Sequence, residues 1–255
     1  MEILKPSIHF YDEIDGNKIL KKIEFFGRIC YQSEAKGNPE KFVRAIINRG
    51  HTSVLEHVSL SFCVITNRGV LAEWTRHRIA SYSVESTRYC KYATASGASD
   101  NKNESMKFIE PFVIENDEGK FAIWKEGCEK SEESYNQMIE SGATPQEARQ
   151  VLNNSLKTMI GCTMNLRSLL NFLSLRCDKA AHPDIKILAI SMLKYLQEKI
   201  PVVFDYVKYD EQFYNEMLDA YRWRDYIKAA PCTIVALHST KAISSDIADE
   251  IDKQR

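Results

Sequence analysis

Apolar residues early in the chain recur every three to four places. That spacing predicts helices over 17–31 (NKILKKIEFFGRICY) and 39–50 (PEKFVRAIINRG), with Pro39 suited to a first turn and Gly50 to a C-terminal stop. The period changes at 57–66, where Val58, Leu60, Phe62 and Val64 alternate onto one face and predict a half-buried strand. Helical spacing returns over 69–78 and leads into Arg76-His77-Arg78, and an extended segment is expected at 81–92, rich in Ser, Tyr, Val and Thr. Further helices are predicted at about 119–141, just after Pro145, at 166–176 behind an Asn165 cap, and at 183–199 behind Pro183. Residues 156–164 (LKTMIGCTM) read as another strand, and the polar, turn-rich 97–106 as a loop. The chain grows polar over 209–255, and its last dozen residues are expected to be mobile. No repeat or low-complexity run breaks the pattern, so 1–255 reads as one domain with embellishments.

Composition narrows the class. With 255 residues, 44% hydrophobic and 27% charged, the chain is globular rather than disordered. Its 34 Lys+Arg nearly balance 35 Asp+Glu, against a dedicated nucleic-acid binder. The ten glycines never form a GxG, which removes the dinucleotide fingerprint and the phosphate-cradling P-loop. Side chains must therefore do more of the work in holding any phosphate. Seven cysteines, scattered and without CxxC spacing, argue against a disulfide framework or a zinc site and for the reducing cytosol. The first residues lack a signal-peptide layout, and Ile185–Leu193 is far too short for a membrane span and contains Lys186. A soluble, cytoplasmic protein is expected.

Three clusters carry candidate chemistry. Arg76-His77-Arg78 is followed closely by Ser86-Thr87-Arg88; in an extended segment Ser86 and Arg88 would point the same way, and Glu85 the other. A hydroxyl beside a guanidinium suits a phosphate, although a solvated basic face or a salt-bridge network, with Glu73 near Arg76, would use the same residues. In the second cluster Arg167 and Asn171 share a helix face, while Asn165 could serve only as a cap and Arg176 only as a cation at a helix end. The third, His51-Thr52-Ser53-Val54-Leu55-Glu56-His57, lacks the ligands of a metal site and reads as a polar, ligand-lining turn. Composition and spacing reach an arginine-rich anion site and no further.

The run RHRIASYSVES at 76–86 fits the pattern Arg-His-Arg, seven residues, Ser, and Thr87-Arg88-Tyr89 continues it. That pattern resembles the signature of the flavin-dependent thymidylate synthases. The likeness extends upstream to GHTSVLEH at 50–57 and downstream to MNLRSLLNFLSLRCDKAAHPDI at 164–185, in the family's order. It implies an α+β fold, a mixed sheet core with flanking helices, assembled as a homotetramer with active sites between subunits. It also implies reductive methylation of dUMP to dTMP, with 5,10-methylenetetrahydrofolate giving the carbon and FAD, reduced by NADPH, giving the hydride.

Carried over by position, the resemblance makes His51, Ser53, Glu56, Arg76, His77, Arg78, Val84, Asn165, Leu166, Arg167 and Asn171 the FAD-binding residues. It makes Glu73, Arg76, Ser86, Thr87, Arg88 and Arg176 the dUMP-binding ones, with Arg149 reaching in from another subunit. Arg176 matches the catalytic arginine beside the uracil ring; as a permanent cation it stabilises charge on the pyrimidine rather than acting as a base. Ser86, with no adjacent base, reads as a binding group rather than a nucleophile. Departures from the family pattern are Glu73 for Gln, Ser83 for Asn, Val84 for a polar residue, whose contact must then come from its backbone, and Asn153 for Pro. The segments 97–143 and 209–255 lie outside the matched blocks, as a variable segment and a C-terminal extension. The competing readings are a non-catalytic nucleotide or RNA phosphate-binding module, which the neutral charge opposes, and a flavoprotein that has lost methylation, which the retained Ser86 and Arg176 oppose.

Overall fold

The computed structural model describes every residue except 12, 31, 36, 93–104, 115, 221–222, 224–231 and 235–255. The elements run β1 (Glu2–Leu4), β2 (Ser7–Phe10), α1 (Gly16–Ile29), α2 (Pro39–Asn48), a 3-10 helix (Thr52–His57), β3 (Ser59–Asn67), α3 (Arg68–Trp74), β4 (Ser81–Val84) and β5 (Lys107–Ile109). They continue as α4 (Glu118–Glu140), α5 (Pro145–Ala148), β6 (Lys157–Asn165), α6 (Leu166–Arg176), α7 (Pro183–Lys199), α8 (Pro201–Phe204), α9 (Glu211–Asp219) and β7 (Cys232–Ile234). Helices and sheets together make an α+β fold, with a five-stranded sheet in the order β4-β6-β3-β2-β7 and a two-stranded parallel pair, β1 with β5.

Two compact units emerge from the contacts. The first comprises Met1–Ser7, Val64–Arg76 and Tyr82–Gly161. Its core joins Met106, Phe108, Cys128, Tyr135, Ala148 and Leu156, flanked by Trp124 and Met138 from α4. The indole of Trp124 donates to Ser155 Oγ at 2.8 Å, so a large half-buried ring keeps its polar edge satisfied. The second unit comprises Ile8–Cys63, His77–Ser81 and the chain from Cys162 onward. It is mostly helical: α6, α8 and α9 all pack on α7, whose residues Asp184–Ile190 are all buried. A helix buried all round is the centre of its layer, not its surface.

Side chains cap several helix starts, Asn165 among them as expected. Asp15, Asn38, Asp117 and Asn165 each accept a backbone N–H of the helix they precede, and Thr144 forms a capping box with Glu147. The alternating strand also forms, with Val58, Leu60, Phe62 and Val64 all buried. Its end is buried on both faces, since Ile65, Thr66 and Asn67 are covered as well.

Three expectations need correction. The helix predicted over 69–78 stops at Trp74; the Thr75 hydroxyl bonds the Leu71 carbonyl at 3.0 Å, and Arg76-His77-Arg78 lies beyond it in irregular chain. The strand expected across 81–92 ends at Val84. Beyond it the Ser86 carbonyl accepts from the N–H of Tyr89 and Cys90, and the Ser86 hydroxyl accepts from the N–H of Arg88 at 3.3 Å. Local serine-to-backbone bonding has replaced the ladder, so Ser86 and Arg88 are neighbours through a turn and not through strand alternation. The block 51–57 is a 3-10 helix rather than an open turn. The sequence pattern predicts no element within 209–255; there Asp210 caps α9 through Phe213 N–H, Phe213 and Met217 are buried, and β7 pairs with β2 in parallel register. The predicted loop 97–106 falls almost wholly, and the last dozen residues entirely, outside the described residues.

Candidate active site

Within the second unit, blocks far apart in sequence meet on α6. The 3-10 helix packs on α6, bringing His51, Ser53 and Glu56, all exposed, to the helix that carries Asn165, Arg167 and Asn171. Glu56 Oε1 lies 2.6 Å from Arg167 Nη1, an exposed ion pair tying the two blocks. The Asn165 side chain accepts the Ser168 N–H at 2.9 Å, so its capping role is real, and Leu166 is buried beneath it. Leu166 N–H in turn donates to the Val58 carbonyl at 2.9 Å, fixing where α6 starts. His57 is engaged elsewhere, stacked on Phe26 with ring centres 3.9 Å apart.

At the other end of α6, Arg176 Nε–H donates to His77 Nε2 at 2.9 Å. His77 also stands edge-on to Phe172, ring centres 4.9 Å apart. Phe172 and Arg176 are four apart on α6 and so present one face to the imidazole. Burial, and next the neighbouring Arg176 charge, lower the His77 pKa to about 4. The imidazole is therefore neutral near pH 7, with its proton on Nδ1 as the Nε2 acceptor requires. The bond engages Arg176 Nε with an uncharged acceptor and fixes the direction of the guanidinium.

The first unit holds the other candidates. Arg88 Nε–H donates to Gln146 Oε1 at 2.9 Å, a neutral partner that leaves the arginine charge uncancelled. Arg88, Gln146, Arg149 and Gln150 line a pocket of about 1010 Å³ together with Ser141 and Gly142. Glu147 also lines it, but Thr144 bonds, first from the backbone N–H and then from the hydroxyl, hold that carboxyl below its usual range and turned to the cap. Two arginines against one tied carboxylate leave a cationic pocket suited to a phosphate. Ser86 is half-buried and Thr87 buried; Val84 is exposed at the end of β4 and Glu73 half-buried in the last turn of α3. Arg76 and Arg78 are exposed.

The structure thus joins His51, Ser53, Glu56, Asn165, Arg167 and Asn171 into one surface, His77 with Arg176, and Arg88 with Arg149. Sequence reasoning missed Phe172, Gln146, Lys157 and Tyr92. Phe172 was legible from its four-residue spacing to Arg176; Lys157 was not, because a charge at the start of an apolar strand has no local signature. Among the described residues no group of His, Cys, Asp or Glu is placed to hold a metal, and no helix is long and apolar enough to cross a membrane.

Comparison with known proteins gives the family. The family model described as thymidylate synthase complementing protein matches residues 14–202. The flavin-dependent thymidylate synthase of Mycobacteroides abscessus is 31% identical over 223 residues, covering 79% of this chain and 84% of that protein. The enzyme of the same name from Geobacter sulfurreducens is 29% identical over 187 residues, covering 69% and 77%. Among solved structures, the UMP/dUMP methylase PolB from Streptomyces cacaoi, bound with 5-Br dUMP, superposes with a TM-score of 0.66 at 20% identity, over 80% of this chain and 96% of that one, and shares the fold. With the family model spanning most of the chain, and the Arg-His-Arg and α6 blocks meeting through Arg176 and His77, this chain belongs to the flavin-dependent thymidylate synthase family.

Proposed function

We propose that this protein reductively methylates dUMP at C5 to give dTMP, taking the carbon from 5,10-methylenetetrahydrofolate and releasing tetrahydrofolate. FAD, recharged by NADPH, supplies the hydride when bound, a role no protein side chain can fill. The observation that carries the reading is the Arg176–His77 bond, which fixes a permanent cation by a neutral partner.

The residues' roles follow from their chemistry. Arg88 and Arg149, with Gln146 orienting the first, bind the dUMP phosphate, and Ser86 adds a hydroxyl. Arg176 stabilises negative charge developing on the pyrimidine, which makes C5 a better nucleophile. It cannot take the proton itself, because guanidinium does not deprotonate in proteins. Toward FAD, the α6 surface fits the group: exposed Arg167 offers charge for its pyrophosphate, and His51, Ser53 and Asn171 offer hydrogen bonds; Arg76 and Arg78, exposed in their own segments, are further candidates for its phosphates. Glu56 moderates the Arg167 charge, so that arginine serves chiefly as an oriented donor. Glu73, Thr87, Val84 and Leu166 remain binding candidates through backbone or packing.

A homotetramer with sites between subunits, in the cytoplasm, completes the reading. Large apolar side chains stand exposed beside site residues: Ile79 at 75% next to Arg78, Leu175 at 56% next to Arg176, and Tyr89 at 80% next to Arg88. Such exposure next to polar site groups supports cover by a second copy. One copy can then supply phosphate ligands, Arg149 among them, and another the pyrimidine-facing arginine. Within one copy the chain passes repeatedly between its two units, which supports reading 1–255 as one domain.

The test is tritium release from dUMP labelled at C5, omitting folate, FAD and NADPH in turn. Release that needs the folate and reduced flavin is the expected result. Flavin binding without release would mean another substrate, and neither would return the protein to a phosphate-binding module.

A further inference from the structure

Glu85 sits at the start of the turn that carries Ser86, Thr87 and Arg88, and its carboxylate uses both oxygens. Oε1 accepts the Tyr92 hydroxyl at 2.8 Å, and Oε2 receives the Lys157 ammonium at 2.8 Å. Its backbone is held too: the N–H donates to the Met159 carbonyl at 3.0 Å, and the Glu85 carbonyl accepts from Arg68 Nη1 at 3.4 Å. Tyr92 lies seven residues further on, at the far end of the same turn, with its ring edge-on to Tyr135 in the core. One carboxylate therefore ties both ends of the segment 85–92 together and to the strand β6.

The tie is partly dry. The Lys157 and Glu85 side chains are only 11% and 14% exposed, so their attraction is screened far less than that of a surface pair. Burial first, and then the Glu85 charge, push the Tyr92 phenol above its usual range, so it stays a donor. None of the three side chains lines the cationic pocket, whereas Arg88, inside the loop they close, does. A network that served only the core would have no reason to pin both ends of this turn.

We propose that Lys157, Glu85 and Tyr92 form a clamp that pre-shapes the 86–88 turn for a phosphate, and so sets the preference for a nucleoside monophosphate over the free nucleoside. This rests on the function proposed above. Ordering the turn before binding removes a cost that would otherwise weaken every phosphate contact. Lys157 and Tyr92 are positioning residues: they act through Ser86 and Arg88.

The experiment compares calorimetric binding of dUMP and deoxyuridine to the full chain, as wild type and as Tyr92→Phe. Tyr92→Phe keeps the ring against Tyr135 and removes one bond to a charged oxygen. Its dUMP dissociation constant should rise about 5- to 30-fold, with deoxyuridine binding unchanged. In turnover, KM for dUMP should rise while kcat holds within about twofold, the pattern of lost uniform binding. Lys157→Met should act in the same direction, and Glu85→Gln, whose single carboxamide oxygen cannot serve both Tyr92 and the Lys157 ammonium, should lose at least as much as Tyr92→Phe. Equal losses for both ligands would reduce the network to a fold staple and overturn the clamp. So would an unchanged dUMP affinity in Tyr92→Phe, or a wild type that binds both ligands alike. Phosphate-dependent binding without any turnover would instead leave the clamp standing and remove the proposed reaction.

Discussion

Arg176 donates its Nε–H to His77 Nε2 across 2.9 Å, and the acceptor is a histidine that burial keeps neutral. The neutral ring orients the guanidinium that the pyrimidine chemistry needs without itself placing a negative charge against it. Arg176→Ala should therefore lower kcat by about 10²- to 10³-fold, the size seen when a preorganised donor to a developing anion is removed. FAD content, read from visible absorbance, should stay near wild type. Unchanged turnover would overturn the role given to Arg176.

The same bond makes a prediction about pH. His77 titrates near 4 when folded and near 6.5 when unfolded, so between those values the unfolded chain binds the extra proton. Stability should then fall as pH drops from about 6.5 toward 4, and the His77–Arg176 bond should survive until the bottom of that range. His9, buried in β2 with its pKa also lowered to about 4 by burial, contributes in the same direction. The check is denaturant unfolding at several pH values: His77→Gln should show a shallower acid loss than wild type, with the His9 share remaining. A histidine NMR titration that moved His77 near pH 6.5 would remove the argument.

Arg149 tests the phosphate pocket. Arg149→Ala should raise KM for dUMP by roughly 10- to 100-fold, the range for a charge-assisted bond, and should flatten the salt dependence of dUMP binding. Steady-state kinetics at two ionic strengths measure both. An unaltered salt response would show that the phosphate goes elsewhere.

How far the sequence was readable depended on whether a signal was local. The Asn165 cap, the Pro39 first turn and the alternation at Val58–Val64 act within a few residues, and these elements formed as expected. The turn at Ser86 was misread because Ser, Tyr, Val and Thr favour strand on average, while one hydroxyl bonding the Arg88 N–H decided the outcome. β7 was missed because three residues pair with β2 across more than two hundred positions, and no local period announces such a partner. In the site, Arg176 and His77 stood in recognisable motifs, but their contact depends on α6 and an irregular segment ninety-nine residues away. The Lys157–Glu85 pair, seventy-two residues apart, had no motif at all.

Two glycines separate packing from propensity. Gly16 opens α1 with its Cα against α7: a Cβ there would sit 2.1 Å from the Lys199 carbonyl oxygen, and backbone cannot swing aside as a side chain can. Gly127 lies inside the long helix α4, where an added Cβ meets nothing within 4 Å. The same substitution should therefore have opposite signs. Gly16→Ala should destabilise by about 1–3 kcal/mol, the cost of overpacking a tight contact. Gly127→Ala should stabilise by about 0.5–1 kcal/mol, because alanine loses less backbone freedom in a helix. Guanidinium unfolding of both variants reads the two numbers directly. A neutral Gly16→Ala would mean that the start of α1 shifts away from α7 at little cost, and that Asp15, as its cap, is enough to fix the helix.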